Sequence, residues 1–150
     1  QIGSAPPLLR ENRLYQTDWL LRFYGFELEE ILNPGHSSLD LDIDPKLGWA
    51  LRNPHYFPVD VNTAPYKALL RIPGVGRQSA LKMVQARKFG RLHEYQLRKM
   101  GIAWNRARHF LVCADSPLIL GAPSMASVKA TILQKPEAAR KADINQLSLF

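Results

Sequence analysis

The stretch Ile72-Pro73-Gly74-Val75-Gly76, followed by Arg77-Gln78-Ser79-Ala80, decides the reading of this chain. Pro73 ends a preceding helix, because proline lacks an N–H and disfavours helix at the residue before it. Gly74 and Gly76 admit positive φ and a close backbone approach. Val75 is the apolar plug between two helices. A new helix opens at Arg77. Its first amides have no acceptor within the helix and lie at the positive end of the helix dipole, an arrangement that suits a phosphate.

The flanks supply the two helices. Asp60-Val61-Asn62-Thr63-Ala64-Pro65 reads as a helix start, with Asn62 or Thr63 as the cap and Pro65 in the first turn. Ala68, Leu69, Leu70 and Ile72 form the apolar side of the first helix, and Ala80, Leu81, Met83, Val84 and Ala86 that of the second. A plain helical corner, merely punctuated by Pro-Gly-x-Gly, stays open as the alternative. The whole string from Val59 to Arg87 reads as a helix-hairpin-helix, a module that grips the nucleic-acid backbone.

A second, worn copy follows. Glu94 to Lys99 predicts a short helix, Met100-Gly101-Ile102-Ala103 repeats the Gly-apolar-small turn, and Trp104 to Val112 predicts the next helix. Ala103 stands where the first turn has Gly76, so this copy is expected to be weaker at positive φ. The residues expected to meet DNA are Gly74, Val75, Gly76, Arg77, Gln78 and Lys82 in the first copy, and Gly101, Ile102, Ala103 and Arg106 in the second.

Charge is concentrated at the same place. The chain is +7 overall, yet residues 1–66 carry five Lys/Arg against nine Asp/Glu. Residues 67–108 carry eleven Lys/Arg against Glu94 alone. A local excess of that size, centred on a phosphate-binding turn, is the footprint of a nucleic-acid surface. A solvated basic face without a partner is the alternative.

Length and composition frame the rest. One hundred and fifty residues at 46% hydrophobic can bury a core, and the predicted class is all-α. Leu8 to Phe26 predicts an amphipathic helix and Glu27 to Leu32 a shorter one, stopped by Asn33-Pro34-Gly35. Asp44-Pro45 opens a helix through Arg52, and Asn53-Pro54 ends it. Three segments are expected: a helical part over 1–58, the tandem module over 59–114, and an irregular tail over 115–150. No apolar run approaches membrane-spanning length. No signal peptide is expected from the first residues, and with a single cysteine, Cys113, the chain is expected to be cytoplasmic and nucleoid-associated. Cys113 reads as core.

No catalytic or metal set is expected. Asp40-Leu41-Asp42-Ile43-Asp44 starts like a calcium loop but lacks the glycine and the distal glutamate, so it reads as a capped loop. His36, His55, His93 and His109 show no ligand spacing. His109 is placed within reach of a phosphate, and His55 beside Tyr56 and Phe57. The first turn resembles that of the helix-hairpin-helix DNA glycosylases, whose motif reads Leu-Pro-Gly-Val-Gly-Arg-Lys. In their bifunctional members that Lys is the nucleophile; Gln78 stands here and cannot form a Schiff base. Those enzymes also need an Asp further on, and residues 90–112 contain none. No glycosylase activity is expected.

A wider resemblance covers most of the chain. Leu14-Tyr15-Gln16-Thr17-Asp18-Trp19-Leu20-Leu21-Arg22-Phe23-Tyr24-Gly25-Phe26, Leu39-Asp40-Leu41-Asp42-Ile43-Asp44-Pro45-Lys46-Leu47 and Phe57-Pro58-Val59-Asp60-Val61-Asn62 resemble the C-terminal part of a bacterial family of DNA modification/repair radical-SAM proteins. The resemblance implies an N-terminal barrel with a Cys-x3-Cys-x-x-Cys motif, an iron–sulfur cluster and S-adenosylmethionine elsewhere in the parent protein, and a neighbouring uracil-DNA-glycosylase-like protein as a partner. One cysteine cannot hold that cluster, so the chain is expected to be a C-terminal, DNA-binding piece without a cofactor of its own. The function expected is sequence-independent DNA binding that targets a repair or modification protein. A protein-interaction scaffold is the alternative.

The last residues carry a separate signal. Gln146-Leu147-Ser148-Leu149-Phe150 matches the bacterial sliding-clamp-binding pentapeptide. Gln146 supplies hydrogen bonds, while Leu147, Leu149 and Phe150 suit apolar pockets. A tail folded back on its own domain is the alternative.

Overall fold

A computed structural model describes residues 7–32, 43–116 and 125–133. The described residues are mostly helical. The elements in chain order are α1 (Pro7–Phe23), α2 (Leu28–Ile31), α3 (Pro45–Arg52), β1 (Val59–Asp60), α4 (Tyr66–Leu69), α5 (Arg77–Ala86), α6 (Glu94–Arg98), α7 (Trp104–Ala107), β2 (Leu111–Val112) and α8 (Met125–Leu133).

The helix at the centre is α3. Asp44 caps it by accepting the Leu47 amide at 2.8 Å, and Pro45 fills the first turn. Residues Pro45 to Ala50 are all buried, since α1, α2 and α8 pack around them. α1 stops earlier than expected, at Phe23. Gly25 takes φ +73°, and the amides of Tyr24 and Phe26 both turn back to the Leu20 carbonyl, closing the helix end. α2 opens with Glu27, whose amide donates to the Glu30 carboxylate at 2.8 Å.

Two helix–turn–helix units follow, α4–α5 and α6–α7. Gly74 (φ +90°) and Gly101 (φ +82°) hold the same place in the two turns. The turns meet directly. The Ala103 amide donates to the Gly74 carbonyl at 2.9 Å, and a Cβ on Gly74 would lie 2.8 Å from the Ala103 carbonyl oxygen. Gly76, expected at positive φ, is instead extended (φ −89°, ψ 177°) as the residue before α5. Ala103 therefore occupies a position that needs no glycine, and its φ is an ordinary −80°. The expectation of a weaker second turn on that ground is overturned.

Other expectations change for tertiary reasons. Neither Asn62 nor Thr63 caps α4; Pro65 precedes it, and no side chain caps it. Asn62 instead braces the far end of the pair of units, donating to the Leu92 carbonyl and accepting the Leu92 amide at 2.6 Å. The predicted helix from Trp104 to Val112 ends at Ala107, and Leu111–Val112 pairs in parallel with Val59–Asp60. The strands tie the entry of the first unit to the exit of the second. The Val59 amide reaches the Phe110 carbonyl at 2.9 Å, and the Val61 amide reaches that of Val112 at 3.1 Å.

One core joins the expected first and second segments. Leu20 and Tyr24 of α1, Ile31, Leu47, Leu69, Ile72, Val75, Met83, Leu97 and Phe110 belong to it, and fully burying each such apolar side chain contributes about 1.5–3 kcal/mol. Cys113 lies in the same core, as expected. So do Val128 and Ile132 of α8, a helix within the segment expected to be irregular.

Candidate nucleic-acid interface

The start of α5 opens into a pocket of about 270 Å³. Gly76, Arg77, Gln78, Ser79 and Lys82 line it from the first unit, Met100 and Gly101 from the second, and Trp19 and Tyr24 from α1. No side chain caps α5. Burial raises the phenol pKa of Tyr24, and the neighbouring Arg77 acts against that rise. Among the described residues, no acceptor meets the amides of Gln78 and Ser79. Two orphan donors at a positive helix end, beside exposed Arg77 and Lys82, form a concave site for an anion.

The residues expected to touch DNA separate into two sets. Gly76, Arg77, Gln78, Lys82 and Gly101 come together at the pocket. Gly74 is buried against Ala103, while Val75 and Ile102 are 0% and 9% exposed; these three shape the turns from inside. Ala103 is half-buried at the contact between turns.

Arg106 is committed elsewhere. Its guanidinium pairs with the carboxylate of Asp44, with side chains only 15% and 4% exposed. Burial pushes the Asp44 carboxyl up, and Arg106, the Leu47 amide and Arg13 outweigh it, so its pKa lies below the usual value. Asp44 is thus a helix cap and an ion-pair partner. The other two acids of the alternating stretch, Asp40 and Asp42, lie outside the described residues.

The basic excess is also sorted by the fold. Arg71 holds Glu30 with two hydrogen bonds at 2.8 and 3.1 Å and lies 3.9 Å over the Phe26 ring. Arg87 donates to the carbonyls of Val61 and Ala64. With Arg106, three of the eleven cations of residues 67–108 are structural. The other eight, Lys67, Arg77, Lys82, Lys88, Arg91, Arg98, Lys99 and Arg108, are exposed. His109 is half-buried, and burial followed by the neighbouring Arg108 lowers its pKa, which keeps the ring neutral and a poor phosphate partner. His55 is exposed.

The sequence reading missed the part played by α1. The amphipathic helix predicted over Leu8 to Phe26 includes Trp19 and Tyr24, and the fold makes them a wall of the pocket. No local pattern announces this, because α1 and α5 lie more than fifty residues apart in the chain and meet only through tertiary packing. The peptide Gln146–Phe150 lies outside the described residues. Among the described residues, no group of three or more His, Cys, Asp or Glu is placed to hold a metal, and no helix is long and apolar enough to cross a membrane. The single buried Cys113 is no donor set for an iron–sulfur cluster. No protein-family model matches the chain, nor does any curated protein or solved structure.

Proposed function

We propose that the two turn units are a tandem helix-hairpin-helix that binds DNA through its phosphates, without base readout. The observation that carries this reading is the pocket at the start of α5, where the unmet amides of Gln78 and Ser79 face the same space as Arg77 and Lys82. Backbone amides and exposed cations recognise phosphate geometry, which is the same at every base pair. The eight exposed cations extend the attraction beyond the pocket. The units are unequal: α5 has ten residues and α7 four, so the first unit is the stronger anion site.

The resemblance to radical-SAM repair and modification proteins supports a targeting role, in which this module brings a parent enzyme to DNA. The test is a titration of duplex DNA of several sequences against salt. Affinity is expected to be nearly sequence-independent and to fall by on the order of 10³-fold between about 50 and about 200 mM salt if about six phosphates are contacted. The double variant Arg77→Ala/Lys82→Ala is expected to lower the slope of log affinity against log salt by about two. A flat salt response would overturn the reading in favour of a protein-interaction module.

The terminal Gln146-Leu147-Ser148-Leu149-Phe150 favours a second contact, with a bacterial sliding clamp. A pentapeptide buries little surface, so micromolar affinity is the expected order of magnitude, about −8 kcal/mol. Tethering to DNA would raise the effective concentration at the clamp. Calorimetry with purified clamp, comparing the whole chain with one ending at Asn145, tests it; equal heats from the two would remove the idea.

A further inference from the structure

We infer that α1 carries a stacking surface for unpaired bases, continuous with the pocket, so that the module selects nucleic acid with exposed bases over intact duplex. The inference rests on the phosphate-binding reading and names its substrate class. Tyr15, Trp19 and Phe23 recur at every fourth residue, which aligns them on one face of α1 at about 6 Å per step. Their rings touch in series: Tyr15 and Trp19 are stacked with centroids 5.9 Å apart, and Trp19 and Phe23 lie at 4.5 Å. The Arg77 guanidinium then lies 4.7 Å over the Phe23 ring.

The series therefore runs from an exposed aromatic into the pocket. Tyr15 is 47% and Phe23 39% exposed, while Trp19 is partly buried and lines the pocket itself. A contiguous row of exposed aromatics, unlike a single exposed ring such as Phe89, marks an interaction surface. The chemistry alongside selects it. At one end lie the amides of Gln78 and Ser79 with two exposed cations, which suit a phosphate; along the helix lie π-faces, which suit bases. Asp18, beside the stripe, is neutralised by Arg22 at 3.0 Å. Glu11, one turn before Tyr15, ends the path with a carboxylate that repels a phosphate strand. A duplex hides the faces of its bases within its own stack, so only a strand with unpaired bases satisfies both halves of the surface.

The experiment titrates the whole chain with an oligothymidine of about 12 nucleotides, within the span of one single-strand module, and with a duplex of equal length. Tryptophan emission and anisotropy are read together. Oligothymidine is expected to quench tryptophan emission, and Tyr15→Ala is expected to weaken oligothymidine binding by about 5- to 100-fold while leaving duplex binding within about twofold; Phe23→Leu, which also removes the ring under Arg77, is expected to weaken both. Tyr15 is exposed and outside the pocket, so its variant keeps the fold even if Phe23→Leu does not. Unchanged oligothymidine affinity in Tyr15→Ala, or emission that does not respond in the parent chain because another segment or protein covers the stripe, would overturn the inference. Lys82→Ala separates the two readings. Loss of duplex affinity in that variant, beside an inert Tyr15→Ala, leaves phosphate binding standing and removes only the stacking surface.

Discussion

The amino group of Lys46 donates to the carbonyl of Val75 at 2.6 Å, and Lys46 has no solvent exposure. The bond joins the central helix α3 to the plug residue of the first turn. The Lys46 nitrogen also lies 4.9 Å from the centre of the Tyr24 ring, and the same tyrosine lines the pocket at the start of α5. One buried side chain thus couples the helical layer to the anion pocket. Burial lowers its pKa well below the ordinary 10.5; Asp44 acts against this, while Arg106 and Arg71 add to it.

A stability change with pH follows from Lys46. Its folded pKa lies below its unfolded pKa, so between the two values the unfolded chain binds more protons and stability rises with pH. Thermal melts of the parent chain are expected to gain stability as pH climbs toward 10.5, by up to about 1.4 kcal/mol per pH unit. Lys46→Met is expected to flatten that slope. An identical slope in both proteins would assign the titration to another group.

The two positive-φ glycines of the turns are expected to differ. At Gly74 a Cβ meets the Ala103 carbonyl oxygen at 2.8 Å and the Ala107 Cβ at 3.2 Å. Gly74→Ala is expected to cost about 2–4 kcal/mol, from strain and overpacking together. At Gly101 the nearest group is the Ser79 hydroxyl at 3.8 Å, so Gly101→Ala carries only the backbone penalty of about 1 kcal/mol. Urea midpoints of the two variants decide it; equal losses would mean that the turns do not pack as described.

Asp44 and Arg106 form the ionic seam between α3 and the second unit. Asp44→Ala leaves the largely buried Arg106 charge without its carboxylate and removes a helix cap, with an expected cost of about 3–5 kcal/mol. The sign with pH is the reverse of that for Lys46. The folded pKa of Asp44 is depressed, so its contribution is present above the unfolded value of 3.8 and is lost as pH falls through the folded value. Acid titration of the urea midpoint checks this. Arg106→Met is expected to lower stability without changing the salt slope of DNA binding, since Arg106 faces Asp44.

Position 78 sets the expectation for chemistry. Borohydride treatment with abasic DNA is expected to trap no covalent adduct, because Gln78 has no amine to form the imine that hydride reduces. A trapped species on mass analysis would show that another amine of the chain does this work.

Much of the first turn is legible locally. Pro-Gly-x-Gly, the Asp44-Pro45 helix start, and the burial of Leu69, Ile72, Val75, Ala80 and Met83 all follow from residue types at helical spacing. The error at Gly76 has a clear source. Two glycines flank Val75, and residue type alone does not say which takes positive φ; the close contact with Ala103 requires it of Gly74. The basic run was countable, yet the division into three structural and eight outward cations was not. That division depends on acceptors far along the chain, such as Glu30 for Arg71 and Asp44 for Arg106.

By itself, the sequence determined the helical class and the local turn that leaves the first amides of α5 without a cap, because periodicity and capping act over a few residues. Only the tertiary structure decided what surrounds those amides. The strand pair Val59–Asp60 with Leu111–Val112, the helix Met125–Leu133, the Lys46–Val75 bond and the aromatic wall from α1 join residues distant in the chain. Such contacts form where a shared core brings surfaces together, and no local pattern of residue types encodes which surfaces those are.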